Sequence, residues 1–188
     1  MRTLGLTLLV ALFCAAPAHA LDLVRNGDFE SELEANWRIE TAGLSTFTIR
    51  ATPFEPDGDY EVLAQKGTGN GHAKIYQVVP IPTTELDFSI RVKLQASATA
   101  TGPWSASGVF LYYEDFFGNI LGTTAIVDRT LHCPWTESAV LRLIDVPDAE
   151  WHEYGFDLAA ELENFPGLDP EQVKQVRISL TSLVGGDC

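Results

Sequence analysis

Polar and apolar residues alternate strictly along "ELDFSIRVKLQA": Phe88, Ile90, Val92 and Leu94 share one side, and Ser89, Arg91, Lys93 and Gln95 the other. A period of two predicts a strand with one face in a core and one in water. The pattern recurs. In "SGVFLYYED", Val109, Leu111 and Tyr113 oppose Phe110, Tyr112 and Glu114. "FFGNILGTTAIV" reads as a hairpin turn at Gly118-Asn119 followed by a return strand. "WHEYGFDL" and "QVRISLTSL" alternate in the same way, and "STFTIRA", "YEVLAQ" and "AKIYQVVPI" are shorter strands. Helix is scarce. "LDPEQVKQV" offers Asp169 as N-cap and Pro170 at the first helical position, enough for a turn or two, and "LAAELENF" could add another. Many short strands separated by turn residues predict an all-β sandwich of two antiparallel sheets, with one or two short helical turns.

Residues 1–20 fall outside this pattern. Arg2 is followed by the apolar run "LGLTLLVALFCAA" and then by Ala18-His19-Ala20, the layout of a signal peptide and its cleavage site. The run is short for a membrane span, so the expectation is a secreted chain, periplasmic or extracellular, without membrane insertion. Residues 21–188 then form one domain, large enough to bury its own core.

Charge narrows the choice of partner. The chain carries 12 Lys and Arg against 26 Asp and Glu, a net −14, and loss of Arg2 with the leader takes it to about −15. Such a balance opposes nucleic acid and anionic lipid and is compatible with neutral ligands or a cation. Of the three cysteines, Cys133 and Cys188 lie outside the leader. In an oxidising compartment they could pair and staple the C-terminus, or each could stay free. The histidines show no metal-ligand spacing.

The order "NGDFE…W", "PDGDYEVLAQ", "YQVVPIPTTELDFSIRVKL", "VFLYYEDFFGNILG", "WHEYGFDL" resembles carbohydrate-binding modules of the cellulase and xylanase type, the related families numbered four, nine and twenty-two. The likeness covers most of residues 21–188 and implies a galactose-binding-like jelly roll. It also implies a structural Ca²⁺, with the side chain of Glu30, the carbonyl of Asp28, Asp57 and the carbonyl of Tyr60 as ligands. The residue types suit it: Ca²⁺ takes six to eight oxygens from carboxylates and carbonyls, and Glu55, Asp57, Asp59 and Glu61 alternate around Gly58. The bland alternative is a turn, a buried Phe29 and a solvated Glu30. One departure stands out. The family pattern closes with a further strand bearing an Asp, and this sequence reaches "GGDC" where that strand would begin, so the last family strand is expected to be missing.

Sugar-binding modules stack aromatic faces on pyranose rings and hydrogen-bond the hydroxyls with polar neighbours. The polar strand faces supply Arg91, Lys93 and Gln95, Tyr112 and Glu114, and Arg177 and Ser179. Trp104 in a Gly-Pro-Trp loop and Trp135 after Cys133-Pro134 are the expected platforms, whereas Trp37 and Trp151 are expected in the core. No nucleophile elbow, P-loop or dinucleotide fingerprint occurs, so no enzyme is expected. The sequence therefore points to a monomeric, non-catalytic module holding a polysaccharide or other glycan. The alternative is a secreted structural or cell-surface interaction protein on the same scaffold.

Overall fold

The computed structural model describes residues 22–43, 47–53, 58–67, 69–97 and 104–185. The leader, Asp57 and Cys188 therefore lie outside the described residues. Ten strands follow one another: β1 (Arg38–Gly43), β2 (Phe47–Thr52), β3 (Glu61–Lys66), β4 (Gly71–Pro80), β5 (Asp87–Lys93), β6 (Ser105–Glu114), β7 (Ile120–Arg129), β8 (Leu141–Asp145), β9 (Trp151–Asp157) and β10 (Gln175–Val184). One helix, α1 (Leu158–Leu162), follows β9, and single 3₁₀ turns occupy Leu33–Ala35 and Pro170–Gln172. Both helical readings hold. Asp157 caps α1 by accepting from the Ala160 N–H at 2.8 Å, and Asp169 caps the second 3₁₀ turn by accepting from Glu171 N–H at 3.0 Å.

The chain is an all-β sandwich. One layer is a six-stranded sheet in the order β1-β4-β10-β6-β7-β8. The other consists of two separate pairs, β2-β3 and β5-β9, packed against its inner face. Every pair is antiparallel except β7-β8, which runs parallel. The alternation read from the sequence places the core. Ile75 of β4, Val109 and Leu111 of β6, Ile126 of β7 and Ile178 of β10 point inward and are at most 5% exposed. They meet Phe88, Ile90 and Val92 of β5 and Tyr154 and Phe156 of β9.

The "NGDFE" stretch is a turn. Asn26 and Phe29 take positive φ (51° and 57°), an uncommon conformation for side-chain-bearing residues and one that Asn tolerates best. Gln77 of β4, 8% exposed on the inner face, holds this turn. Its Oε1 accepts from Arg25 N–H at 2.9 Å, and its Nε2 donates to the carbonyls of Arg25 (2.9 Å) and Asn36 (3.3 Å). Trp37 fills the core as expected, 4% exposed, with its indole N–H on the Asn26 carbonyl at 3.0 Å and Phe29 beside it at 5.5 Å between centroids. Trp151 does not fill the core. It is half-buried on the water side of β9, with the Arg91 guanidinium 4.8 Å from its ring. Leading its strand, it pairs with the outward-facing Lys93 and so takes the outward parity.

Candidate functional site

Alternation decides which residues share the outer face of the six-stranded sheet. β10 lies at its centre, between β4 and β6. Arg177 is level with Val78 and Tyr112, Ser179 with Tyr76 and Phe110, and Thr181 with Lys74 and Gly108. The outer surface is therefore a grid of short polar side chains on β10, flanked by aromatics on β4 and β6. Gly108 is required here: a Cβ would come within 2.8 Å of both the Ile126 carbonyl and a Val127 methyl. Its missing side chain leaves room beside the Phe110 ring.

A continuous aromatic line runs from this grid to the loop after β7. Phe110 stacks on Tyr112 (6.0 Å, 12° between planes), Trp135 stands edge-on to Phe110 (5.4 Å, 90°), and Trp104 meets Trp135 at 5.6 Å. Trp104, Trp135 and Tyr112 are half-buried, so each ring keeps part of its surface in water. The loop is tied down from beneath. Arg129 donates to the Trp135 carbonyl and grips Asp145 through two bonds, at 2.7 and 2.9 Å. The Arg129 hydrogen bond holds the Asp145 carboxyl below the ordinary range.

At the other end of the line the Arg177 guanidinium lies 4.4 Å from the Tyr112 ring and pairs with Glu114 at 3.0 Å. Glu114 is 3% exposed and also accepts from Gln175 at 2.9 Å. A buried carboxylate held on two sides fixes the fork of Arg177 against the ring. Across the grid, Glu40 of β1 pairs with Lys74 (2.8 Å) and His72 (3.1 Å), and Lys74 sits 5.8 Å from the Tyr76 ring. The Lys74 hydrogen bond is the main influence lowering the Glu40 carboxyl.

The structure thus brings together Trp104, Trp135, Tyr112, Glu114 and Arg177 of the residues read from the sequence. It does not bring Arg91, Lys93 and Gln95 to them: these belong to β5 and its extension, in the other layer. Ser179, read from the sequence beside Arg177, lies on the same face but is 2% exposed; Phe110, Tyr76, Lys74 and Thr181 share the face and were not singled out. The strand alternation that placed Tyr112 also placed Phe110, so that signal was present; the pairing of β4 with β10, which adds Tyr76 and Lys74, is a long-range fact that alternation does not carry.

The calcium set is partly assembled. Glu30 Oε1 accepts from the Tyr60 N–H at 3.3 Å, which brings the "NGDFE" turn against the approach to β3, and Asp28 Oδ1 accepts from the Glu30 N–H at 3.3 Å. Among the described residues no group of three or more His, Cys, Asp or Glu side chains could hold a metal. The Glu30 carboxylate with the carbonyls of Asp28 and Tyr60 falls short of the six to eight oxygens Ca²⁺ needs. Cys133 is half-buried without a disulfide among the described residues, and burial pushes its thiol up. Also among these residues, no helix is long and apolar enough to cross a membrane.

No family model matches the chain, and no curated protein matches it. Among solved structures it is similar to the enzymatically active domain of tailspike protein 4 of bacteriophage CBA120, at 16% identity and a TM-score of 0.45. The match covers 87% of this chain and 20% of that one, so the chain spans about a fifth of that neighbour's length.

Proposed function

We propose that the protein is a secreted, non-catalytic glycan-binding module whose contact face is the outer face of the six-stranded sheet. One observation carries this reading. Trp104, Trp135, Tyr112, Glu114 and Arg177, drawn from β6, β10 and two loops, converge on one contiguous surface. That surface pairs partly exposed rings with hydroxyls and fixed charged groups, the combination that stacks on a pyranose and bonds its hydroxyls. Tyr112 and Trp135 offer the stacking surface, Thr181 a hydroxyl contact held from behind by the buried Ser179 at 2.9 Å, and Arg177, held by Glu114, a directed donor. A net charge of −14 favours a neutral polysaccharide over an acidic one. A structural Ca²⁺ belongs to the reading only at the Glu30 corner, with Asp57, which lies outside the described residues, as the further carboxylate.

Affinity electrophoresis in gels carrying soluble neutral polysaccharides tests the face. Tyr112→Ala and Trp135→Ala should each weaken retardation about tenfold, the equivalent of ~1.4 kcal/mol, while Lys93→Ala, in the other layer, leaves it unchanged. Equal retardation of all three folded variants would place any sugar contact elsewhere. The second reading, a secreted interaction protein, is favoured by a different feature: among the described residues, the β2-β3 and β5-β9 pairs of the second layer are not paired with each other.

A further inference from the structure

The turn between β6 and β7 carries two phenylalanines where turns ordinarily carry Gly, Pro, Asn, Asp or Ser. Phe116 and Phe117 are its central residues, just ahead of the Gly118-Asn119 dipeptide read from the sequence. Asp115 builds the turn. Its carbonyl accepts from the Gly118 N–H at 3.1 Å, and its own N–H donates to the Asn119 carbonyl at 3.0 Å. Its carboxylate accepts from the N–H groups of Phe117 (2.8 Å) and Asn119 (2.9 Å) and from Asn119 Nδ2 (2.7 Å). Gly118 follows with a φ of 83°, the left-handed residue that closes such a hairpin. Main chain, Asp115 and Asn119 thus hold the turn, and neither ring belongs to the hydrophobic clusters of the sandwich. Phe116 is 79% and Phe117 85% exposed, and the rings meet edge-on at 5.5 Å. A bulky apolar pair that breaks the local rule and returns nothing to the fold marks function.

The surroundings narrow what the rings meet. Ile120, at the base of the hairpin, is exposed. So is Val140, whose carbonyl accepts from the Thr123 N–H at 2.9 Å. The loop from α1 to β10 borders this end of the sheet: Phe165 and Leu168 lie against Gly122, and Lys174 donates its N–H to the Glu114 carbonyl at 2.9 Å. That loop exposes Glu163, Asp169 and Glu171 against Lys174. Gln175, level with Glu114, marks the hairpin end of β10. Gly43, Trp104 and Gly185, which flank undescribed stretches, lie around Val184 at its other end, about 30 Å away at ~3.3 Å per residue. Pro53 and Gly58 flank another, between β2 and β3 in the other layer.

A stable protein partner needs more than this tip. The two rings offer roughly 250–400 Å² between them, against ~800 Å² per partner in a standard interface. Acidic side chains, which are depleted from interface cores, stand close by. A convex pair of rings suits a surface without fixed shape, since it needs no socket. Among lipid surfaces, the acidic loop and the net charge of −14 oppose an anionic one. We propose that the Phe116–Phe117 tip docks the protein on a zwitterionic phospholipid surface, with both rings at the boundary between headgroups and acyl chains. The contact is peripheral and reversible and needs no membrane-spanning segment. Asp115 acts by presenting the rings, and Ile120 and Val140 lie at headgroup level. The inference is independent of the glycan reading, which rests on Tyr112, Trp135 and Arg177.

Vesicle flotation of residues 21–188 at millimolar lipid is the test. Vesicles of phosphatidylcholine alone should carry the protein upward. Phe116→Ser combined with Phe117→Ser should lower the partition coefficient by about tenfold or more, at an unchanged melting temperature, because both side chains are exposed. Phe117→Trp should retain binding. Replacing half of the phosphatidylcholine with phosphatidylglycerol should weaken it at low salt. No flotation with phosphatidylcholine, equal flotation of the double variant, or tighter binding to the anionic vesicles would overturn the proposal. So would self-association of the parent protein in sedimentation velocity that the double variant loses, which would assign the rings to a second copy. The double variant keeps Tyr112, Trp135 and Arg177, so none of these outcomes bears on glycan binding.

Discussion

Gln77 shows how one side chain can hold a distant turn in place. Its amide satisfies three backbone groups of two segments, at Arg25 and Asn36, from inside the sandwich. Removing it leaves those groups buried and unpaired, at a cost of about 1–3 kcal/mol. Gln77→Leu should therefore lower the unfolding free energy by that amount, read as a lower urea midpoint at unchanged m-value, with the larger loss near the "NGDFE" turn in amide exchange. At this scale the sequence was legible wherever alternation was strict: Phe88, Ile90 and Val92 face the core as read, and so do Val109, Leu111 and Tyr113. It failed at Trp151, because bulk and apolarity suggested the core while strand parity placed the ring outside, under Arg91. It was also silent about Gln77, since a polar residue on a core face gives no local sign of the backbone groups it will meet.

Among the elements, β1 and β8 are strands that local pattern did not reveal; β8 is the more instructive. It is five residues long and pairs in parallel with β7, a long-range arrangement with no short-range signal. What fixes it is visible in the structure. Arg142 of β8 reaches Glu161 of α1, which is 3% exposed and also accepts from Thr124 of β7. Tyr113 donates to Thr124 at 2.9 Å, and its burial pushes its own hydroxyl pKa up. Arg142→Ala would strand the Glu161 carboxylate. Breaking a buried pair costs ~3–5 kcal/mol; the guanidinium is 36% exposed, so about 2–3 kcal/mol is expected here, and Arg142→Ala combined with Glu161→Gln should recover part of it in chemical denaturation. The turn before β1 raises the metal question at the same scale. If residues 54–57 complete the shell at Glu30, calorimetric titration of chelator-treated protein with Ca²⁺ gives heat and a higher melting temperature, and Glu30→Gln removes both. A flat titration would leave the corner as a hydrogen-bonded turn.

At the scale of the molecule, the outer face of the six-stranded sheet carries rings, hydroxyls and fixed charges. The sandwich itself was legible, because eight strand-like segments separated by turn residues have few other ways to bury their apolar faces. Half of the candidate site was legible too. Tyr112, Glu114 and Arg177 were correctly read as outward-facing, but outward-facing residues of different sheets look alike in sequence, which is why Arg91, Lys93 and Gln95 were grouped with them. The central claim is that the outer face of the six-stranded sheet binds glycan. An NMR titration of residues 21–188 with cello-, xylo- and manno-oligosaccharides tests it most directly. At least one series is predicted to shift the amides of Tyr112, Arg177, Ser179 and Thr181 and the indole N–H signals of Trp104 and Trp135, saturably, and to leave β5 and β9 unmoved. No saturable shift with any series, or shifts confined to β5 and β9, would contradict it.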